Sequence, residues 1–136
     1  MASTLDALGL EFLAGILEVE LGRHPENIAA LIELGHVYTR ARRYEKGLEV
    51  DRELVRRCPD DPTTHYNLAC SLALLEKSPE AFDELERAVA LGYVDVEHLL
   101  ADEDLASLRG SARFETIVQA LSSPGRPQEP SEDPER

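Results

Sequence analysis

Tryptophan is absent from this sequence of 136 residues, and aromatic side chains make up only 5% of it. A core built from such a chain is mostly Leu, Ala, Val and Ile, which suits close helix-on-helix packing. Positive charge is also scarce: 14 Lys and Arg stand against 27 Asp and Glu, a formal net charge of −13. A nucleic acid would be repelled by that field, because its binders need a basic footprint. Anionic membrane surfaces are disfavoured on the same ground. A basic or apolar protein partner is compatible with it, and high acidity also serves solubility. No apolar run approaches the roughly 20 residues needed to span a bilayer. Met1-Ala2-Ser3-Thr4-Leu5-Asp6 lacks the basic start of a secretory signal, so the cytoplasm is the expected compartment. The two cysteines, Cys58 and Cys70, form neither a metal-type pair nor a redox doublet and read as reduced thiols.

Chemical motifs are missing too. The chain has no phosphate loop, nucleophile elbow, paired metal ligands or dinucleotide fingerprint. His24, His36, His65 and His98 are isolated, which makes them surface or groove residues rather than ligands. An enzyme would need a nucleophile, a base and an orienting group in one constellation, and the sequence offers none. Neither catalytic residues nor a metal or cofactor is expected.

What is present is helical periodicity. Residues 3–22 place Leu10, Leu13, Leu17 and Leu21 on one stripe, broadened by Phe12 and Ile16 into a wide face expected to be buried. Ser3 or Thr4 can cap this helix, and Gly22 with Pro25 stops it. A second helix spans 26–40 through Ile28, Leu31, Leu34, Val37 and Tyr38, and a third spans 44–57. Pro62-Thr63-Thr64 opens a fourth, reaching about Leu75. Ser78 is expected to cap a fifth over 79–91, ended by Gly92. A short helix over 94–100 and a turn or two over 102–109 follow, and Ser111 caps a last helix, 112–121. From Ser122 onward, prolines, serines and acids predict a disordered tail.

These helices repeat. The pattern Leu31-x-x-Leu34-Gly35-x-x-Tyr38, then Tyr44-x-x-Gly47, returns 34 residues later. Leu34 maps to Leu68, Gly35 to Ala69, Tyr38 to Leu72, Gly47 to Ala81, Leu54 to Ala88, and Pro25 to Pro59. The pattern resembles the tetratricopeptide repeat, a helix-turn-helix unit of that length. Departures are His65 where a Trp or Leu is commoner, Asp51 where an aromatic or Leu is usual, and Tyr93 in place of a second proline.

The resemblance implies an all-α, right-handed solenoid of antiparallel helix pairs. It divides residues 1–121 into an N-terminal half-repeat (3–25), two full repeats (26–61 and 62–93) and a degenerate capping repeat (94–121), before the acidic tail (122–136). It also implies that the first helix of each repeat lines a concave binding surface. The residues there are Ile32, His36, Thr39 and Arg40, then Tyr66, Asn67, Cys70, Ala73 and Leu74. Two alternatives stand for this face: a groove that binds a protein or peptide, or a row covered by the chain's own flanking segments. A carboxylate clamp of the kind some relatives carry is not expected. Asn67 matches one element, but Ile32, His36, Glu97 and Ala101 replace the others. The expected function is a non-enzymatic interaction module. The alternative is self-association, for instance as a homodimer, through apolar outer faces of the terminal helices, where Phe12 and Ile16 are the residues to watch.

Overall fold

A computed structural model describes residues 4–123, and all of its regular structure is helical, with no strand among the described residues. The helices are α1 (Thr4–Arg23), α2 (Ile28–Arg40), α3 (Tyr44–Arg57), α4 (Pro62–Leu74), α5 (Ser78–Ala90), α6 (Val96–Ala101), a 3-10 helix (Glu103–Leu108) and α7 (Ala112–Ser122). None of them is long and apolar enough to cross a membrane. By internal packing the chain divides into two units, Met1–Pro59 and Asp60–Arg136.

In the first unit α1 packs on α2 and α2 on α3. Asn27 starts α2: its side-chain oxygen accepts the Ala30 N–H at 3.0 Å, while its amide donates to Glu20 at 2.9 Å. One residue thus caps a helix and fixes the angle of the preceding turn. The core gathers Leu10 and Ala14 from α1, Leu31, Leu34, Val37 and Tyr38 from α2, and Val50 and Leu54 from α3. Gly35 lies where α2 and α3 approach closely. A Cβ there would sit 3.2 Å from Val50 Cγ1 and 3.4 Å from Asp51 Oδ1. Asp51 is buried beside that glycine. The Arg57 guanidinium donates to the Pro25 carbonyl and ties the end of α3 to the α1–α2 turn.

Tyr38 also closes this core, with its hydroxyl donating to the Glu18 carboxylate on α1. Burial first, then the bond to Glu18 and that residue's charge, push the phenol from 10.0 up to about 12. The folded state therefore holds this proton more tightly than the unfolded chain does. Its contribution to stability is complete below pH 10 and is lost as pH rises from 10 towards 12. Urea unfolding across that range should show a smaller alkaline loss for Tyr38→Phe than for the wild type. Equal slopes would remove Tyr38 from the titration.

In the second unit α4 pairs with α5, the 3-10 helix lies on α4, and α7 contacts α5 and α6. Asp61 caps α4 by accepting the Thr63 N–H at 2.9 Å, with Pro62 in the first turn. Leu68, Leu72, Phe82, Leu85, Leu99, Leu105, Leu108, Phe114, Ile117 and Leu121 are buried. His65 is not a surface or groove residue. It is buried, and its Nδ1 lies 2.7 Å from Glu84 Oε1 on α5, a hydrogen bond that makes a polar residue acceptable there.

Other expectations shift by a residue or two. Ser78 does not cap α5: the helix begins at Ser78, and Lys77 occupies the cap without a side-chain bond. Ser111 does cap α7, accepting the Phe114 N–H at 3.1 Å. Ser122 closes α7 rather than opening the tail. The expected cap at Ser3 and the expected disorder over 124–136 fall outside the described residues.

The period seen in the sequence is also present in the backbone. The α2–α3 turn passes through Arg42 at φ 62 and the α4–α5 turn through Glu76 at φ 60. Arg43 N–H donates to Tyr38 O at 2.8 Å, and Lys77 N–H to Leu72 O at 2.9 Å. This six-to-one closure with a left-handed residue is a Schellman stop, and it recurs one period of 34 residues later. The small residues at equivalent positions are equally enclosed: Ala69 and Ala81 are fully buried, as Gly35 and Gly47 are hemmed in.

Candidate functional site

The two rows of residues expected to line a binding surface have different fates. In the first unit Ile32, His36 and Arg40 recur every fourth residue along one exposed face of α2. Ile32 is 37% exposed, a large apolar side chain left in water. Thr39 is half-buried, and its hydroxyl donates to the Gly35 carbonyl of its own helix at 3.1 Å, so it has less to offer a partner.

In the second unit the equivalent row lies beneath the chain itself. Tyr66, Cys70 and Ala73 are buried, while Asn67 and Leu74 are half-buried. The Tyr66 ring stacks on Tyr93 with centroids 4.5 Å apart and planes 10° from parallel, and it meets His98 at a tilt. The Tyr66 hydroxyl donates to Asp102 Oδ2 at 2.7 Å, and the Cys70 thiol lies 3.6 Å from the same oxygen. The other Asp102 oxygen accepts the Asp104 N–H at 3.0 Å and so caps the 3-10 helix. Ser107 donates to the Ala73 carbonyl at 3.0 Å, and Arg109 donates to the Asp102 carbonyl. The segment 102–109 is therefore seated on α4 by one carboxylate, one hydroxyl and two buried leucines, Leu105 and Leu108.

The electrostatics suit a structural bond. Burial first, then the nearby Cys70 thiol and the Asp102 carboxylate, keep the Tyr66 phenol protonated far into the alkaline range, so it stays a donor. Burial, then the charges of Asp102 and Asp104, push the Cys70 thiol well above its ordinary value. A nucleophilic cysteine needs the thiolate, and this environment opposes it. Burial, then Asp102, also raises the Asp104 carboxyl. Among the described residues Cys70, Asp102 and Asp104 bring donor atoms within 4.8 Å of one another. The Tyr66 and backbone bonds already engage Asp102, and the set mixes one soft sulfur with hard oxygens, a combination that favours no particular metal.

A further surface lies on α1. Leu5, Leu8, Phe12, Ile16 and Val19 are exposed, from 49% for Ile16 to 79% for Leu5. The expectation that Phe12 and Ile16 widen a buried face is thus corrected. Leu10, Leu13, Ala14, Leu17 and Leu21 occupy the face turned to α2, which leaves no inner position for them. Glu11, Phe12, Gly15, Ile16 and Val19 line a shallow apolar groove there. Sequence reasoning named two members of this stripe. The spacing that joins Leu5, Leu8 and Val19 to them was readable in the same helix. It missed Tyr93, Asp102 and Ser107 as partners of α4, since no local pattern marks them.

No family model matches the chain, and no curated protein or solved structure matches it either.

Proposed function

We propose that the chain is a non-enzymatic protein-interaction module of the tetratricopeptide type. In this reading it is a right-handed solenoid of antiparallel helix pairs that binds a peptide segment of another protein on the exposed face of α2. The recurrence of the same turn in both helix pairs supports the repeat assignment. A cytoplasmic setting belongs to the same reading, in keeping with Cys58 and Cys70 both being free thiols.

The observation that carries the binding reading is the occupied row in the second unit. Tyr66 and Cys70 meet the Asp102 carboxylate and the Ala73 carbonyl accepts from the Ser107 hydroxyl, so this row holds a short segment of the chain. One period earlier the corresponding residues are Ile32, His36 and Thr39, followed by Arg40 in place of Leu74. A face of that design, left open and carrying Arg40, suits a segment with an apolar side chain for Ile32 and an acidic one for His36 and Arg40.

The test is affinity capture from native lysate, comparing the wild type with Ile32→Glu/Arg40→Glu, each checked by circular dichroism. A captured protein should bind the variant about tenfold more weakly or worse, as expected for loss of an anchor and a charge. Peptide mapping of that protein should find an acidic and apolar segment. Capture that the folded variant retains in full places binding elsewhere.

A further inference from the structure

We propose that the outer face of α1 is a twofold interface on which a second copy of this chain docks its own α1 antiparallel. The proposal is independent of the α2 reading, because it uses a different helix and a different occupant.

The first support is the geometry of the stripe. Leu5, Leu8, Phe12, Ile16 and Val19 follow steps of three, four, four and three, and at 100° per residue they fall on one narrow arc of the helix. Those steps read the same in both directions about Phe12. An antiparallel copy related by a twofold axis at Phe12 therefore sets Leu5 against the second Val19, Leu8 against the second Ile16, and the two Phe12 rings against each other. Every apolar residue meets an apolar residue, as a self-complementary interface requires.

The second support is a pair of glycines that face open space among the described residues. Gly9 and Gly15 both stand in the interior of α1, where glycine weakens a helix, and a Cβ at either would meet nothing within 4 Å. A glycine inside a helix lets another backbone approach closely. No such backbone comes from the described residues. Gly9 and Gly15 lie three residues to either side of Phe12, one on each edge of the stripe, so the same twofold axis sets each level with the other's copy and leaves both edges free of side chains that would hold the two helices apart.

Charge is confined to the rim of the stripe, where Glu11 forms one wall of the groove. Glu11 pairs with Arg43, Glu18 accepts from Tyr38, and Glu20 accepts from Asn27, so these three carboxylates of α1 are engaged to the sides. The segment 124–136 is no candidate occupant, since its only apolar residues are prolines. The area is adequate. Five side chains exposed to this degree present on the order of 600 Å². Two copies would then bury at most about 1,200 Å², which reaches the lower bound of a specific interface. Interfaces of that size belong to the weak, transient class, so association is expected to depend visibly on concentration. Each copy carries −13, so added salt should tighten it by screening.

Sedimentation velocity on the full chain, over a dilution series and at two salt concentrations, tests this. The wild type is expected to move from monomer to twice the 15.1 kDa chain mass as concentration rises, and more readily in high salt. Phe12→Glu places two like charges on the axis and should weaken association about a hundredfold or more. Phe12 is 72% exposed, so the monomer should keep its helical circular dichroism. Orientation is read by mixing Leu5→Cys with Val19→Cys, both in a Cys58→Ser background, and adding a short bismaleimide. Mixed dimers linked from position 5 to position 19 are expected. A wild type that stays monomeric, a dimer that survives Phe12→Glu, or linkage of like positions in preference to unlike ones overturns the proposal.

Discussion

Gly35→Val should destabilise the first unit by about 3 kcal/mol or more, the upper end of the usual cost of overpacking. Even the first added carbon would lie 3.2 Å from Val50 Cγ1 and 3.4 Å from Asp51 Oδ1. Val50 and Asp51 are themselves buried, and Val50, β-branched on a helix, has one preferred rotamer and cannot swing aside. The two further methyl groups have no space except by pushing α3 away from α2. That would open the core around Leu34, Val37 and Leu54. Alanine at the same position is a sharper comparison. It recovers about 1 kcal/mol of helix propensity, which offsets much of the single tight contact. Gly35→Ala should therefore unfold within about 1 kcal/mol of the wild type in a urea titration followed by circular dichroism. Val50→Ala removes the nearest obstacle, so the double variant Gly35→Val/Val50→Ala should cost less than the two single costs added together. Strict additivity would mean that the close approach of α2 and α3 at Gly35 is not what the valine disrupts.

The same residue shows how far the fold was legible. Leu34-Gly35 and Leu68-Ala69 recur at a fixed period, and the structure encloses all four at equivalent places in two helix pairs. Turn chemistry marked most helix ends: Pro62, Ser111, Gly92 and Gly110 behave as their residue types dictate, with both glycines at positive φ. Ser78 misled because serine before proline reads as a cap, yet here the residue before it holds that place.

The sites were less legible, for two physical reasons. Periodicity reports which face of a helix is apolar but not what lies against it. Phe12 and Ile16 look like core from their spacing, but α1 is apolar on two opposite faces, with Glu11, Glu18 and Glu20 between them, and α2 covers only one of the two. The second reason is sequence separation. Asp102 sits 36 residues from Tyr66, in a run of acids that reads as solvated surface. Its role comes from where the chain returns, and a desolvated carboxylate is a stronger anchor than any local signal suggests.

That anchor carries the last expectation. Asp102→Ala should destabilise the second unit by about 3 kcal/mol, combining a buried donor left without its acceptor and the loss of a helix cap. The donor is the Tyr66 hydroxyl, 4% exposed and unable to turn to water while Tyr93 stacks on its ring. The lost cap is the bond from Asp104 N–H. Tyr66→Phe should cost less, because it removes the donor together with its need, and the carboxylate keeps its backbone bond. Asp102→Asn should fall between, since the amide oxygen can still accept. Cys70 gives a readout of the seat itself. Its thiol is buried and held protonated by burial and by the charges of Asp102 and Asp104, so in the wild type it should react slowly with a thiol reagent. Leu105 and Leu108 still hold the segment in Asp102→Ala, so the face opens in transient excursions rather than permanently. Each excursion bares a thiol whose pKa has lost its nearest opposing charge, and labelling of Cys70 should quicken well before global unfolding begins. If Asp102→Ala melts with the wild type and Cys70 stays as slow, apolar contact through Leu105 and Leu108 holds the segment, and the carboxylate is incidental.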